Sequence, residues 1–342
     1  MKANEYPYIS HPDWKLTTPA ETYLTDGTDA DTDMVHVLGL GAVGGVWTHQ
    51  LVARGVPVLA LSAGMGPPVT ISVSQSRPVH VPVVGTESLS DRSIETLLVT
   101  TKAFDVLPAL RSVKRALRPG ATVVLLSNGM GFQESAAAMV EEMQATLVIA
   151  STTMGCFVRH KDAGSLEIQV NGLGETVVGP WRDQQWTADR VGFLTSVQGH
   201  TEFKVLKNRK ETFRLLLRKL CVNACINPAS VLFNCENGQL LNNDFWLNTL
   251  VPSVAKEVAA ITPVIHQGVV LPEDELVDAA FHVAKNTFRN KSSMLMDVLN
   301  RRATEIDFMN GFVVKTAIQH GLPCVANERL LRLVKGIEAN KF

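Results

Sequence analysis

The chain has 342 residues, 46% of them hydrophobic and 19% charged, with a formal net charge of −1. That length suggests about two domains around a sizeable core, and the near-neutral balance favours neither nucleic acid nor an anionic membrane as a partner. No apolar run approaches the roughly 20 residues of a membrane span, and the five cysteines complete neither a disulfide framework nor a zinc set.

Residues 1–33 read as a polar N-terminal extension bearing Glu5, Asp13, Glu21, Asp26, Asp29, Asp31 and Asp33. They lack both the arginine-rich pattern of a transit peptide and the apolar stretch of a secretory signal, which makes the cytoplasm the default location. From Met34 the pattern is strand (Val35–Leu38), glycine turn, amphipathic helix ending at Gly55, and strand (about Pro57–Leu61). Short apolar runs at Thr96–Thr100, Thr122–Leu126 and Thr146–Ala150 predict buried strands, with helices at Val106–Ala116 and Gln133–Gln144 between them. Such alternation implies a mostly parallel sheet covered by helices. Leu166–Val170 and Thr176–Val178 predict a hairpin around Asn171-Gly172 or short extra strands, whereas residues 64–90, rich in Pro, Ser and Val, give no clear pattern. From about Thr201 the pattern is helical: 205–220, 221–234, 242–263, 273–288, 292–301, 304–320 and 327–338. The expected organisation is therefore an extension (1–33), a Rossmann-like dinucleotide-binding α/β domain (34–204) and an all-helical substrate domain (205–342).

Gly39-Leu40-Gly41-Ala42-Val43-Gly44 is a GxGxxG placed directly after a strand and before a helix. The first glycine permits the tight turn, the second lets backbone approach a pyrophosphate, and the third allows close packing of helix on strand. Phosphates then sit at the positive end of the helix. The second strand ends Leu61-Ser62-Ala63, with neither the acid typical of NAD sites nor the arginine that clamps the NADP phosphate.

Lys219, Asn223 and Asn227 recur at spacings of four within an apolar stretch, so on a helix they share one face. A cation and two amides in apolar surroundings are costly unless something polar binds there. An ammonium at such a place can polarise a carbonyl and donate a proton as hydride arrives. Burial lowers its pKa and a neighbouring carboxylate raises it, so a carboxylate is expected nearby. A lysine that snorkels to water is the alternative reading of the same residue. Downstream, Ser292 or Ser293 can begin one helix, and Thr304-x-x-Asp307 has the form of a capping box that would put Glu305 in a first turn.

Several motifs in order resemble the ketopantoate reductase family (2-dehydropantoate 2-reductase) over about residues 34–338. They are GLGAVGG (39–45), TTKAFDV (100–106), SNGMG (127–131), KLCVNACINP (219–228), NCENG (234–238), KSSMLMD (291–297) and TEIDFMNG (304–311). The resemblance implies a Rossmann-type domain followed by a helical domain like that of 6-phosphogluconate dehydrogenase. It implies NADPH-dependent reduction of 2-dehydropantoate to (R)-pantoate on the route to pantothenate and coenzyme A. Carried over by position, Lys219 is the catalytic proton donor and Glu305 lies near the nicotinamide ribose and the reacting centre. Residues 39–44, Lys102, Asn128 and Glu305 contact the cofactor. Asn128, Lys219, Asn223, Asn227, Asn237 and Ser293 contact substrate, Ser293 holding its carboxylate. The implied partner is a small 2-oxo acid, with no metal and with a homodimer allowed. Ala63 departs from the arginine that the family often places there, which leaves NADH in play beside NADPH. A paralogous reductase of another 2-oxo acid or ketone, or a non-catalytic dinucleotide-binding protein, remains the alternative.

Overall fold

In the runs TLLV, TVVL and TLVIA, successive side chains enter two different cores. Leu97, Val99, Val123, Leu125, Leu147 and Ile149 pack on one side, and Leu98, Val124, Val148 and Ala150 on the other. A sheet buried on both faces selects continuous apolar strands rather than alternating ones. The computed structural model describes residues 34–63, 66–172, 174–182, 188–195 and 202–341, and the extension 1–33 lies outside them.

The α/β part runs β1 (Val35–Leu38), α1 (Ala42–Val52), β2 (Val58–Ser62), β3 (Val69–Val73), β4 (Val79–Val81), β5 (Val83–Gly85), β6 (Ile94–Val99), α2 (Val106–Ser112), β7 (Leu117–Leu125), α3 (Gln133–Glu142) and β8 (Thr146–Thr152). It continues with β9 (Gly155–Lys161), β10 (Ser165–Gly172), β11 (Glu175–Pro180), the short α4 (Gly192–Thr195) and β12 (Glu202–Val205). The helical part comprises α5 (Arg209–Phe233), α6 (Val251–Ile265), α7 (Glu273–Asn286), α8 (Ser293–Leu299), α9 (Asn310–Gln319) and α10 (Val325–Lys341).

The large sheet has the order β12-β11-β8-β7-β6-β1-β2-β5. Its pairs are parallel except β8 with β11. This is the expected parallel α/β sheet followed by helices. A second sheet, β4-β3-β10-β9, was not legible in residues 64–90. It covers α1, whose residues from Gly44 to Leu51 are all buried. Gly45 is the closest point of approach: a Cβ there would lie 2.3 Å from Ile168 and 2.7 Å from Leu166.

Three local expectations are corrected. β10 and β11 do not form a hairpin: β10 pairs with β3 and β9 in the second sheet, and β11 pairs with β8 and β12 in the large one. The two helices expected at 205–220 and 221–234 are the single α5, since no breaker separates Leu220 from Cys221. Asn208 caps its start by accepting from the Glu211 N–H at 3.0 Å, and Asn234 ends it in the left-handed conformation at φ 48°. Pro228 lies inside α5 and cannot donate to the Ala224 carbonyl one turn back. The Asn310 amide donates to that oxygen instead, at 3.2 Å. Finally, Thr304 and Asp307 form no capping box. The Thr304 hydroxyl accepts from Ile306 N at 3.3 Å, Asp307 pairs with Lys335, and the helix proper starts at Asn310. By length and composition α5 could cross a membrane, but most of it is buried inside the fold.

Candidate active site

The glycine loop joins β1 to α1 across the carboxyl edge of the large sheet. Gly39 has φ +111°, and a Cβ there would sit 2.9 Å from the Thr101 nitrogen. A Cβ at Gly44 would lie 2.0 Å from the Gly39 oxygen and 2.3 Å from Thr100 Oγ1. The Thr100 hydroxyl itself donates to the Gly39 carbonyl at 2.6 Å. At Gly41 a Cβ would meet nothing within 4 Å. Two glycines thus pack the turn closed while the middle one faces open space, where a pyrophosphate can approach the N-terminus of α1. No acidic residue occupies the first turn of α1. The residues present therefore fit a dinucleotide. Ala63 stands exposed just past the end of β2.

The SNGMG loop follows β7 and meets the helical part. Gly129 has φ +82°, and a Cβ there would lie 2.6 Å from the Phe308 oxygen. Met130 N donates to that same carbonyl at 2.7 Å. This close approach sets Asn128 opposite α5, where its Oδ1 accepts from the Lys219 ammonium at 3.1 Å. Lys219 also donates to the Thr152 carbonyl at 2.8 Å. Burial pulls its pKa down to about 8, with the Glu305 charge pulling back up. An ammonium has three donors, and two are engaged by the protein.

The asparagine stripe lies on α5 as expected. Asn223 is half-buried and its side chain makes no hydrogen bond to a described residue. Asn227 is buried and its amide meets only the Met309 sulfur, at 3.5 Å. Asn237, on the turn after α5, donates to Thr287 Oγ1 at 2.9 Å, and its buried Oδ1 has no donor among the described residues. Ser292, rather than Ser293, caps α8: its hydroxyl accepts from Leu295 N at 3.0 Å and meets Ser230 Oγ at 2.6 Å. Ser293 is the exposed first residue of that helix.

Glu305 is buried, at 3% exposure, but it does not contact Lys219. Its Oε1 accepts from Ala103 N at 2.9 Å, and its Oε2 lies 3.5 Å from the Lys102 ammonium. Lys102 also donates to Asp297 at 2.6 Å. Burial works against the Lys102 charge, but Glu305 and Asp297 together outweigh it and hold its pKa above the usual value. Burial lifts the Asp297 carboxyl, against the pull of Lys102 and then Arg302. Sequence reasoning missed Asp297. Its signal was its place in Met294-Leu295-Met296-Asp297-Val298, three residues from Met294 and so on the apolar side of the helix.

A Rossmann-type sheet with a closed glycine turn, and a lysine and two carboxylates facing it from a helical part, defines a pyridine-nucleotide-dependent oxidoreductase. Comparison with known proteins narrows the class. The sequence profile of ketopantoate reductase PanE/ApbA matches residues 35–183, and that of its C-terminal part matches 213–338. The chain belongs to the ketopantoate reductase family. It is 30% identical over 302 residues to the 2-dehydropantoate 2-reductase of Vibrio cholerae, covering 88% of this chain and 97% of that protein. It is 31% identical over 312 residues to the enzyme of that name from Salmonella typhimurium, covering 89% and 95%. In fold it resembles the probable 2-dehydropantoate 2-reductase of Bacillus subtilis, with TM-score 0.72, 22% identity and coverage of 89% and 99%. It also resembles D-mandelate dehydrogenase in complex with NADH and anilino(oxo)acetate, with TM-score 0.78, 19% identity and coverage of 90% and 98%.

Proposed function

We propose that this protein is a cytoplasmic 2-dehydropantoate 2-reductase that forms (R)-pantoate with NADPH. In this reading residues 34–204 hold the cofactor and 205–342 hold the substrate. The observation that carries the proposal is Lys219, drawn down to a pKa of about 8 and held by Asn128 and Thr152. The cofactor, when bound, supplies hydride. Lys219 does the rest of the chemistry at the carbonyl. Two of its N–H groups are fixed by the protein, so the third is free to bond the ketone oxygen, polarise it and protonate the developing alkoxide. A pKa of about 8 keeps the group mostly protonated at neutral pH while making it a stronger acid than an exposed lysine.

The surrounding residues support the binding roles. Asn223 and the Asn237 carbonyl oxygen have no partner among the described residues and can bond substrate hydroxyl groups. Asn227 completes the stripe, and the exposed Ser293 hydroxyl is available to the substrate carboxylate. Glu305 biases the Lys219 proton through its charge and, with Lys102, lies beside the turn that precedes α2, within reach of the cofactor.

The test is steady-state kinetics of the purified protein on 2-dehydropantoate and a panel of 2-oxo acids, each with NADPH and with NADH. The expected result is the highest kcat/KM for 2-dehydropantoate with NADPH. Faster turnover of another 2-oxo acid would replace the substrate. Turnover of none would return the chain to a dinucleotide-binding role without catalysis.

A further inference from the structure

Ala63 leaves the end of β2 uncharged, yet one cation does reach the glycine loop. It comes from the second sheet, on a strand far from the glycine loop in sequence. Lys161, the last residue of β9, donates from its ammonium to the Leu40 carbonyl at 2.8 Å. Leu40 is the residue between the first two glycines of the loop.

The face of β9 from which Lys161 projects is set by packing. Lys161 lies directly opposite Leu166 in the antiparallel pair of β9 and β10, and opposed residues project from the same face of a sheet. Leu166 is buried at 1% exposure and packs on α1 at Gly45, where a Cβ would come within 2.7 Å of it. The face that carries Lys161 is therefore the face clamped on α1. Asp162 closes the turn beyond it: its Oδ1 accepts from Gly164 N at 2.8 Å and Ser165 N at 2.7 Å. Asp162 Oδ2 is engaged by His160 at 3.1 Å, and no described carboxylate forms an ion pair with Lys161.

The ammonium thus has one donor on the loop and two more available, beside a helix N-terminus with no acid in its first turn. An exposed lysine bonded to one neutral carbonyl adds little to folding. At a loop built to receive phosphates, the same ammonium adds a full charge to the half-charge of the helix end.

We propose that Lys161 is a cofactor-binding residue that contacts a phosphate group of the dinucleotide. It would supply, from the second sheet, the cation that Ala63 does not. The proposal rests on the cofactor reading above.

Dissociation constants measured by fluorescence or calorimetric titration test it without recourse to turnover. Wild type, Lys161→Ala, Lys161→Glu and Lys161→Arg are each titrated with NADPH and NADH. Lys161→Ala is expected to weaken binding about 10-fold, the scale of one lost charge-assisted hydrogen bond. Lys161→Glu should weaken it further, and Lys161→Arg should keep most of the affinity. Unaltered thermal melting of the variants confirms that only the ligand site has changed. An equal loss for both cofactors assigns the contact to the pyrophosphate. A loss confined to NADPH assigns it to the adenosine 2′-phosphate. Either result supports the proposal. Unchanged affinity of Lys161→Ala and Lys161→Glu for both cofactors, beside a wild type that binds, overturns it and leaves the cofactor reading standing. A wild type that binds neither dinucleotide overturns both.

Discussion

Two lysines face the same glutamate and end with opposite acidities. Lys219, on α5, feels Glu305 only through space, and burial prevails and lowers its pKa to about 8. Lys102, just past β6, has Asp297 at 2.6 Å and Glu305 at 3.5 Å, and the two charges prevail over burial and raise its pKa. The number of carboxylates in contact decides the outcome. One distant charge leaves an ammonium that can give up its proton, and two adjacent ones make a fixed cation.

That contrast is broken most severely at Lys219. Lys219→Ala should lower kcat by at least about 100-fold, the usual scale of a lost general acid, with cofactor dissociation constants little changed. Lys219→Arg keeps the charge but cannot release a proton, so it should rescue little of the rate. Near-normal turnover in either variant would remove Lys219 from the chemistry and restore the reading of a snorkelling side chain.

At Lys102 the expected damage is to the fold. Lys102→Ala would take the shared cation from Asp297 and Glu305, both 3% exposed, leaving Asp297 only Arg302 at 3.4 Å among the described residues. The Lys102 side chain is itself 37% exposed, so water screens part of the loss and the cost is about 1–2 kcal/mol, read as a lower urea midpoint at pH 7. The sign with pH is fixed. Burial already holds the Asp297 carboxyl above its ordinary value, and losing Lys102 removes a pull in the other direction, so the native state binds more protons there and the variant regains stability as pH falls through that range. A midpoint equal to wild type would mean that the pair is too well hydrated to matter.

The same contrast marks how far the sequence could be read. The stripe of Lys219, Asn223 and Asn227 was legible because helix periodicity is local. The identity of their neighbours was not: Asn128 reaches Lys219 across 91 positions, and Glu305 reaches Ala103 across 202. The large sheet was legible because burial on both faces writes unbroken apolar runs such as TLVIA. The second sheet left a fainter mark. Val69-Thr70-Ile71-Ser72-Val73 alternates as a half-buried strand should, but Pro67, Pro68, Pro78 and Pro82 around it also read as loop. Its partner β10 is supplied by residues nearly a hundred positions later. The cation that this sheet brings to the glycine loop was hidden because Lys161 and Leu40 lie 121 positions apart. Asp297 was hidden because an acid within a short helix ordinarily lies in water.

A smaller effect sharpens the comparison without breaking the fold at either lysine. Ketone reduction needs the Lys219 proton, so kcat/KM for the 2-oxo acid should be level below pH of about 8 and fall above it. Oxidation of the hydroxy acid needs the free amine and should rise across the same interval. Stability carries the matching signature. Because the native pKa lies below the ordinary lysine value of 10.5, the unfolded chain binds more protons between about 8 and 10.5, and the native state gains stability as pH rises through that window. Glu305→Gln removes the charge that pulls the Lys219 pKa upward, so all three breaks should move to lower pH. If the kinetic break of Glu305→Gln stays where wild type has it, Glu305 acts through Lys102 and Ala103 alone, and the two lysines do not share a carboxylate in any functional sense.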